Sequence, residues 1–180
     1  MSDSPGLGTL DWQPAAAHPH LLAVPVQEAL TLVPGTYVAA IDPGLADTAA
    51  FCDAYGVGLD ASANCVVVAG RRGETRTLAA CLVLATDRAD VNKVVRRHLD
   101  VAKISFAPMD QATAETGMEY GGITPVGLPV GWPILVDARV VAAGWVVIGS
   151  GLRGSKLAIR GTDLLTLAGA VKLELAQPRN

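Results

Sequence analysis

Gly121-Gly122-Ile123-Thr124-Pro125-Val126-Gly127 is the stretch on which the reading of this 180-residue chain turns. Glycine lacks a side chain and adopts positive φ, so a ligand or another backbone can approach its main chain closely. Pro125 fixes its own φ and restricts Thr124. A stiff loop with bare N–H groups at its start results. Such a loop can grip a carbonyl or hydroxyl oxygen without any side chain. Taken alone, it also reads as a tight connection between two strands.

Outward from the loop, several short motifs stand in order. They are Thr116-Gly117, the glycine loop itself, Leu135-Val136-Asp137-Ala138 and Gly149-Ser150-Gly151-Leu152-Arg153-Gly154. The series resembles that of the YbaK/ProX family, the aminoacyl-tRNA editing domains also found inserted in, or associated with, prolyl-tRNA synthetases. The similarity runs from about residue 41 to residue 169. The order is more specific than any one motif. The resemblance implies a mixed, barrel-like β-sheet flanked by helices, an α+β fold in a single domain. It also implies hydrolysis of a misacylated tRNA in trans, with the aminoacyl-tRNA acceptor end as partner and no cofactor or metal.

Composition fits one domain with a substantial core. The chain is 51% hydrophobic with few aromatics, yet no apolar run reaches the ~18 residues of a membrane span. Residues 1–6 have neither a basic nor an apolar signal region, so no secretory leader is expected. Cys52, Cys65 and Cys81 lack C-x-x-C spacing, which points to reduced thiols and a cytoplasmic protein. The net charge of −3 is unevenly spread: residues 1–70 carry seven acids and no Lys or Arg, and all fourteen basic residues follow. That asymmetry fits either one basic face for a polyanion or an ordinary solvated surface. DNA is not an expected partner. Monomer and homodimer both remain open.

Residues 1–20, rich in Pro, Gly, Ala and Ser, read as a loose arm, and residues 21–180 as the domain. Helical spacing predicts a helix over 21–33 opened by Pro25. Tyr37 to Ile41 alternates as a strand. Asp47 is expected to cap a helix over 48–55 that Gly56 stops. Residues 64–69 and 77–85 read as strands covered on both faces, joined by a turn over 71–74. A helix is predicted over 89–99, with Lys93, Arg96 and Arg97 outward as a candidate tRNA-binding face. A short strand over 103–107 precedes a helix capped by Asp110 and stopped by Gly117. Strands follow over 134–136, 145–148 and 156–160. Thr162 is expected to cap a last helix over 163–167.

Gly149-Ser150-Gly151-Leu152-Arg153-Gly154 formally matches G-x-G-x-x-G, but the next residues alternate like a strand, which excludes a dinucleotide site. Gly154-Ser155-Lys156 has the wrong order for a P-loop. His98 is the one histidine beyond His18 and His20, and no Ser or Cys stands in the context of an activated nucleophile. Cys65 is the best thiol candidate, with core packing as its ordinary role.

A site poor in acid–base groups suits an aminoacyl ester, which is already activated and has a ribose hydroxyl beside it. The protein then has to position the carbonyl and donate backbone hydrogen bonds to the developing oxyanion. The family pattern has a lysine at the start of the first long strand; here Asn64-Cys65-Val66-Val67-Val68 stands there, with a neutral amide. The resemblance thus implies Gly121, Gly122 and Asn64 as catalytic. It implies Thr124, Pro125, Gly127, Asp137, Gly149, Ser150, Gly151 and Cys65 around the substrate, and Lys93, Arg96, Arg97, Arg153 and Lys156 against tRNA. A non-catalytic tRNA-binding module and a small-molecule ester hydrolase are the rival readings.

Overall fold

The computed structural model describes residues 3–179. At its centre lies a long hairpin, β3 (Ala63–Arg72) with β4 (Thr75–Leu84). The pair Arg72–Thr75 leaves only Gly73 and Glu74 to turn, and Gly73 takes a φ of 58°. A positive φ is what a two-residue hairpin turn demands, so the four-residue turn expected from the charges contracts to two.

Three further strands complete the sheet: β6 (Lys103–Phe106), β7 (Ile134–Asp137) and β10 (Ala170–Leu173), in the order β10-β7-β4-β3-β6. β7 runs parallel to β4 and to β10. A second, antiparallel sheet has the order β1-β2-β9-β8. Its members are β1 (Gln13–Pro14), β2 (Tyr37–Ala40), β8 (Trp145–Gly149) and β9 (Ser155–Arg160). A third pair joins β5 (Asp87–Ala89) to β11 (Ala176–Pro178).

The side-chain period of two explains the layering. On β4, Leu82 and Leu84 enter a core shared with Val38, Ile148 and Leu157 of the second sheet. Ala79, Cys81 and Val83 face the other way, onto Val91, Val95 and Leu175. The second sheet is likewise covered behind by Trp12, Phe51 and Cys52. Both faces of β4 are therefore dry from Ala79 to Leu84, as its apolar run requires, whereas β3 is only half-buried over Asn64–Val66 and the hairpin tip is exposed. The α+β, single-domain expectation holds. The two large sheets wrap a common core and meet at the Ser62–Val147 bridge, but they do not close into a barrel.

Helices fill the edges. α1 (Val24–Ala29) has Pro25 in its first turn, where a missing N–H costs nothing. α2 (Thr48–Tyr55) ends at Gly56 in the left-handed conformation, and Asp47 holds the N-cap position without a side-chain cap bond. The predicted helix over 89–99 is largely replaced. Residues 87–89 are captured as β5, Val91–Val95 forms a π-turn capped by Asp90, and only α3 (Arg96–His98) is α-helical. The cause is tertiary, since β11 arrives from 87 residues downstream to pair Ala176 with Ala89. α4 (Met109–Thr116) starts from Pro108, leaving Asp110 in the first turn rather than at the cap. α5 (Ala138–Ala142) follows β7 directly. The last predicted helix is a 3-10 helix, Gly161–Thr166, entered from Arg160 rather than Thr162. Residues expected as a loose arm pack instead: Trp12 is buried with its indole N–H donated to the Leu7 carbonyl, and Ala15 is fully buried.

Asp137 occupies the joint between β7 and α5. Its Oδ2 accepts the Arg139 N–H at 3.0 Å, and its Oδ1 accepts the Leu175 and Ala176 N–H groups, each at 3.0 Å. This buried carboxylate ties the chain before β11 to the sheet, and it does not line the candidate cleft described below. Asp137→Ala is expected to lose roughly 1.5–3 kcal/mol in urea denaturation, the usual worth of hydrogen bonds to a charged group. Asp137→Asn, which keeps an acceptor, should lose less. Wild-type stability in the alanine variant would contradict this assignment.

Candidate functional site

A cleft of about 490 Å³ opens where the two large sheets part. One wall is the start of β3, with Asn64 and Cys65; beside it lie Asp47 and Thr48 at the head of α2. Opposite stand Gly121 and Ile123 of the glycine loop and Gly149 at the end of β8.

The two glycine segments touch backbone to backbone. The Gly151 N–H donates to the Gly122 carbonyl at 2.7 Å, and the Glu119 N–H donates to the Gly151 carbonyl at 2.9 Å. A methyl group on Gly149 would lie 2.4 Å from the Gly122 oxygen, and one on Gly122 would lie 2.7 Å from the Leu152 carbonyl. The second backbone wall expected from the sequence is thus the backing of the first.

That packing sorts the expected site residues. Gly121, Gly149, Asn64, Cys65 and Lys156 line the cleft. Gly122 is buried behind it, and its N–H donates to the Glu119 carbonyl at 2.9 Å. Gly127 abuts α1, where a methyl would fall 2.3 Å from the Pro25 oxygen. A methyl on Gly151 would fall 2.4 Å from the Ala23 side chain. Thr124 and Pro125 are buried in the loop's support. The Ser150 hydroxyl is buried and shares a 2.6 Å hydrogen bond with the Ser155 hydroxyl. These residues shape the site without lining it. Among the described residues, the N–H groups of Gly121 and Ile123 have no protein acceptor, so they replace Gly122 as the available backbone donors.

On the facing wall, the Thr48 hydroxyl donates to Asn64 Oδ1. The bond anchors the amide, and with Oδ1 turned to Thr48 its NH₂ is left as a donor. Cys65 is different in kind. Burial, together with the nearby Cys81 thiol, pushes its pKa well above the ordinary thiol value. Cys81 is itself pushed up to about 12 by burial. Cys65 therefore stays a neutral thiol through the physiological range and is a lining atom rather than a nucleophile.

The basic residues separate into two groups. Lys93, Arg96 and Arg97 are exposed on the π-turn and α3, outside the cleft. Arg153 bridges the Tyr120 and Pro43 carbonyls at 3.1 Å each, at the side of the loop. Lys156 is only 8% exposed and stands in the cleft, so it is not a surface contact. Sequence reasoning missed Arg88 and Arg179, which also line the cleft. The β5–β11 pairing brings them there, and no local pattern announces it. It missed Phe106 and Tyr120 as well, 62% and 53% exposed on the cleft wall. No group of His, Cys, Asp or Glu among the described residues could hold a metal ion. No helix among them is long and apolar enough to cross a membrane.

A family model, the aminoacyl-tRNA editing domain, matches residues 42–167. The chain belongs to that family. The YbaK-type resemblance carried by the glycine motifs is borne out. Among solved structures, that of a candidate trans-editing enzyme for prolyl tRNA synthetase is similar, with a TM-score of 0.73 and 24% identity. The match covers 86% of this chain and 96% of that one. A scaffold used for grafting linear epitopes matches equally, with a TM-score of 0.73, 24% identity, and 86% and 97% coverage. A hypothetical protein follows with a TM-score of 0.69, 18% identity, and 78% and 90% coverage. At these identities the structures establish the shared fold of the editing domain.

Iodoacetamide at pH 7.5 is expected to leave Cys65 unmodified in the folded protein and to label it on unfolding, as read by peptide mass spectrometry. Rapid labelling of the native protein at Cys65 would show an accessible thiolate and restore it as a nucleophile.

Proposed function

We propose that this editing domain hydrolyses the ester of a misacylated tRNA in trans. The observation that carries the reading is the pairing of bare N–H donors at Gly121 and Ile123 with the Asn64 amide across one cleft. Among the described residues, His98 does not line that cleft, and Asp47 is the one acid that does. The substrate must therefore bring its own reactivity, and an aminoacyl ester does. A water attacks the ester carbonyl, and the carbonyl oxygen becomes an oxyanion that the backbone N–H groups stabilise. The tetrahedral intermediate collapses by breaking the bond to the ribose oxygen, which takes up the proton released by the water. A free amino acid and an uncharged acceptor end leave. The ribose hydroxyl next to the ester assists by holding the water or relaying the proton. The Asn64 amide orients the terminal adenosine or that water. Apolar wall residues such as Val66 and Val83 read the size of the amino-acid side chain. Each methylene is worth only ~1–3 kcal/mol, so this selection is coarse.

The exposed Lys93, Arg96 and Arg97, outside the cleft, are assigned in this reading to acceptor-stem phosphates. Reversing Arg96 and Arg97 to Glu should weaken binding of all tRNAs alike. It should also flatten the salt dependence, by roughly 0.7–0.9 in the log–log slope per lost contact. Affinity that does not change with salt would argue against a polyanion ligand. The unpaired cysteines fit a reducing compartment such as the cytoplasm.

The test is a deacylation assay on a panel of charged tRNAs. At least one mischarged tRNA should be hydrolysed well above the spontaneous rate. Asn64→Ala should lower kcat/KM roughly 2- to 12-fold, equivalent to ~0.5–1.5 kcal/mol for a lost hydrogen bond. Binding without turnover across the panel would favour the non-catalytic module, a reading that the neutral Asn64 keeps open. Turnover of free aminoacyl esters without tRNA would favour the small-molecule hydrolase.

A further inference from the structure

Lysine is almost never fully buried unless paired with a carboxylate. Lys156, on β9, is 8% exposed and makes no ion pair among the described residues. Its Nζ donates to the Ala46 carbonyl at 2.9 Å and sits 5.3 Å from the centre of the Phe51 ring. Both partners are neutral. An ammonium has three N–H donors, and the Ala46 carbonyl accounts for one.

The lysine's frame is fixed. Its neighbour Ser155 donates to the Leu21 carbonyl, and the backbone at Lys156 is held in register between Ala39 and Gly149. The cleft around it favours anions, since Arg88 and Arg179 line it against the one acid, Asp47. Burial pulls the Lys156 pKa below the ordinary lysine value; Cys52 opposes that fall, Arg153 adds to it and Asp47 opposes it. A charge held dry with no carboxylate at ion-pair distance costs stability, and such cost is tolerated where a ligand supplies the missing partner.

We propose that Lys156 is the anion-holding group of the cleft and receives the phosphate attached to the terminal nucleoside of the acceptor strand. This rests on the tRNA reading above and deepens it. Asn64 then serves as a neutral positioning amide, while the charge comes from β9.

The signature of such a residue is a loss of binding without a loss of stability. Lys156→Met keeps the length and removes the charge. The folded state lowers the lysine's pKa, so the unfolded chain holds that proton more firmly. The penalty is therefore fully present below the folded pKa and fades as pH rises toward the unfolded value. The methionine variant should accordingly have an equal or higher Tm at pH 7, with its advantage shrinking as pH rises toward the ordinary lysine value.

The experiment is an NMR titration of the full chain with adenosine 5′-monophosphate and with adenosine. Wild type should bind the monophosphate about tenfold or more tightly than the nucleoside, and Lys156→Met should bind both alike. In wild type, the Lys156 side-chain resonances should shift with the monophosphate and not with adenosine. That measurement stands even if the variant folds poorly. Equal affinities in wild type, no binding of either, unmoved Lys156 resonances, or a preference that survives in Lys156→Met would each overturn the inference. A phosphate preference with no deacylation of any charged tRNA would keep the anion site and remove the hydrolase reading. Deacylation without a phosphate preference would do the reverse.

Discussion

Two glycine-bearing segments approach each other so closely that no side chain fits between them, and the site is built on that approach. The Gly122 carbonyl accepts from the Gly151 N–H at 2.7 Å, and a methyl on Gly149 would stand 2.4 Å from the same oxygen. The contact fixes the glycine loop against the end of β8. Gly127 carries the constraint onward to α1, where the Pro25 carbonyl lies 2.3 Å from the position of a would-be methyl. The Ala23 N–H closes the circuit by donating to the Ser150 carbonyl at 3.2 Å. Loop, strand end and helix are thereby locked, and locked donors need no reorganisation when charge develops beside them.

Such a wall suits one kind of chemistry better than others. Its donors are neutral and fixed, its thiol is held protonated, and its one lysine is buried without a carboxylate partner. A substrate with a poor leaving group would find only Asp47 and Lys156 as acid–base groups among the described residues of the cleft. An aminoacyl ester has a good leaving group and its own neighbouring hydroxyl. The membership in the aminoacyl-tRNA editing family and the geometry of the cleft therefore support the same reading from different sides.

Much of this was legible in the sequence, and the illegible part has a common cause. The hairpin β3–β4, α2 with its stop at Gly56 and the glycine loop all rest on local signals: apolar runs, a left-handed glycine, a proline. Residues 89–99 misled because their helical spacing was real for Val91 and Val95 but β11 claimed the residues before them. Arg88 and Arg179 were invisible for the same reason. Asp137 sits in a motif of the family, yet its carboxylate holds backbone N–H groups from the chain's end. The sequence also pointed to glycines 121 and 122, but not to the second spending its N–H on Glu119. Which donor is free depends on the turn, and the turn depends on the segment packed behind it.

The most direct test of the account is a crystal structure of the protein with a non-hydrolysable 3′-aminoacylamido analogue of the terminal adenosine. The account predicts the analogue in the cleft between β3 and the glycine loop. Its carbonyl oxygen should lie within hydrogen-bonding distance of the Gly121 or Ile123 N–H, with the Asn64 amide on the ribose side. An analogue seated outside that cleft, or a carbonyl turned away from the loop, would contradict the claim that this backbone wall performs the chemistry.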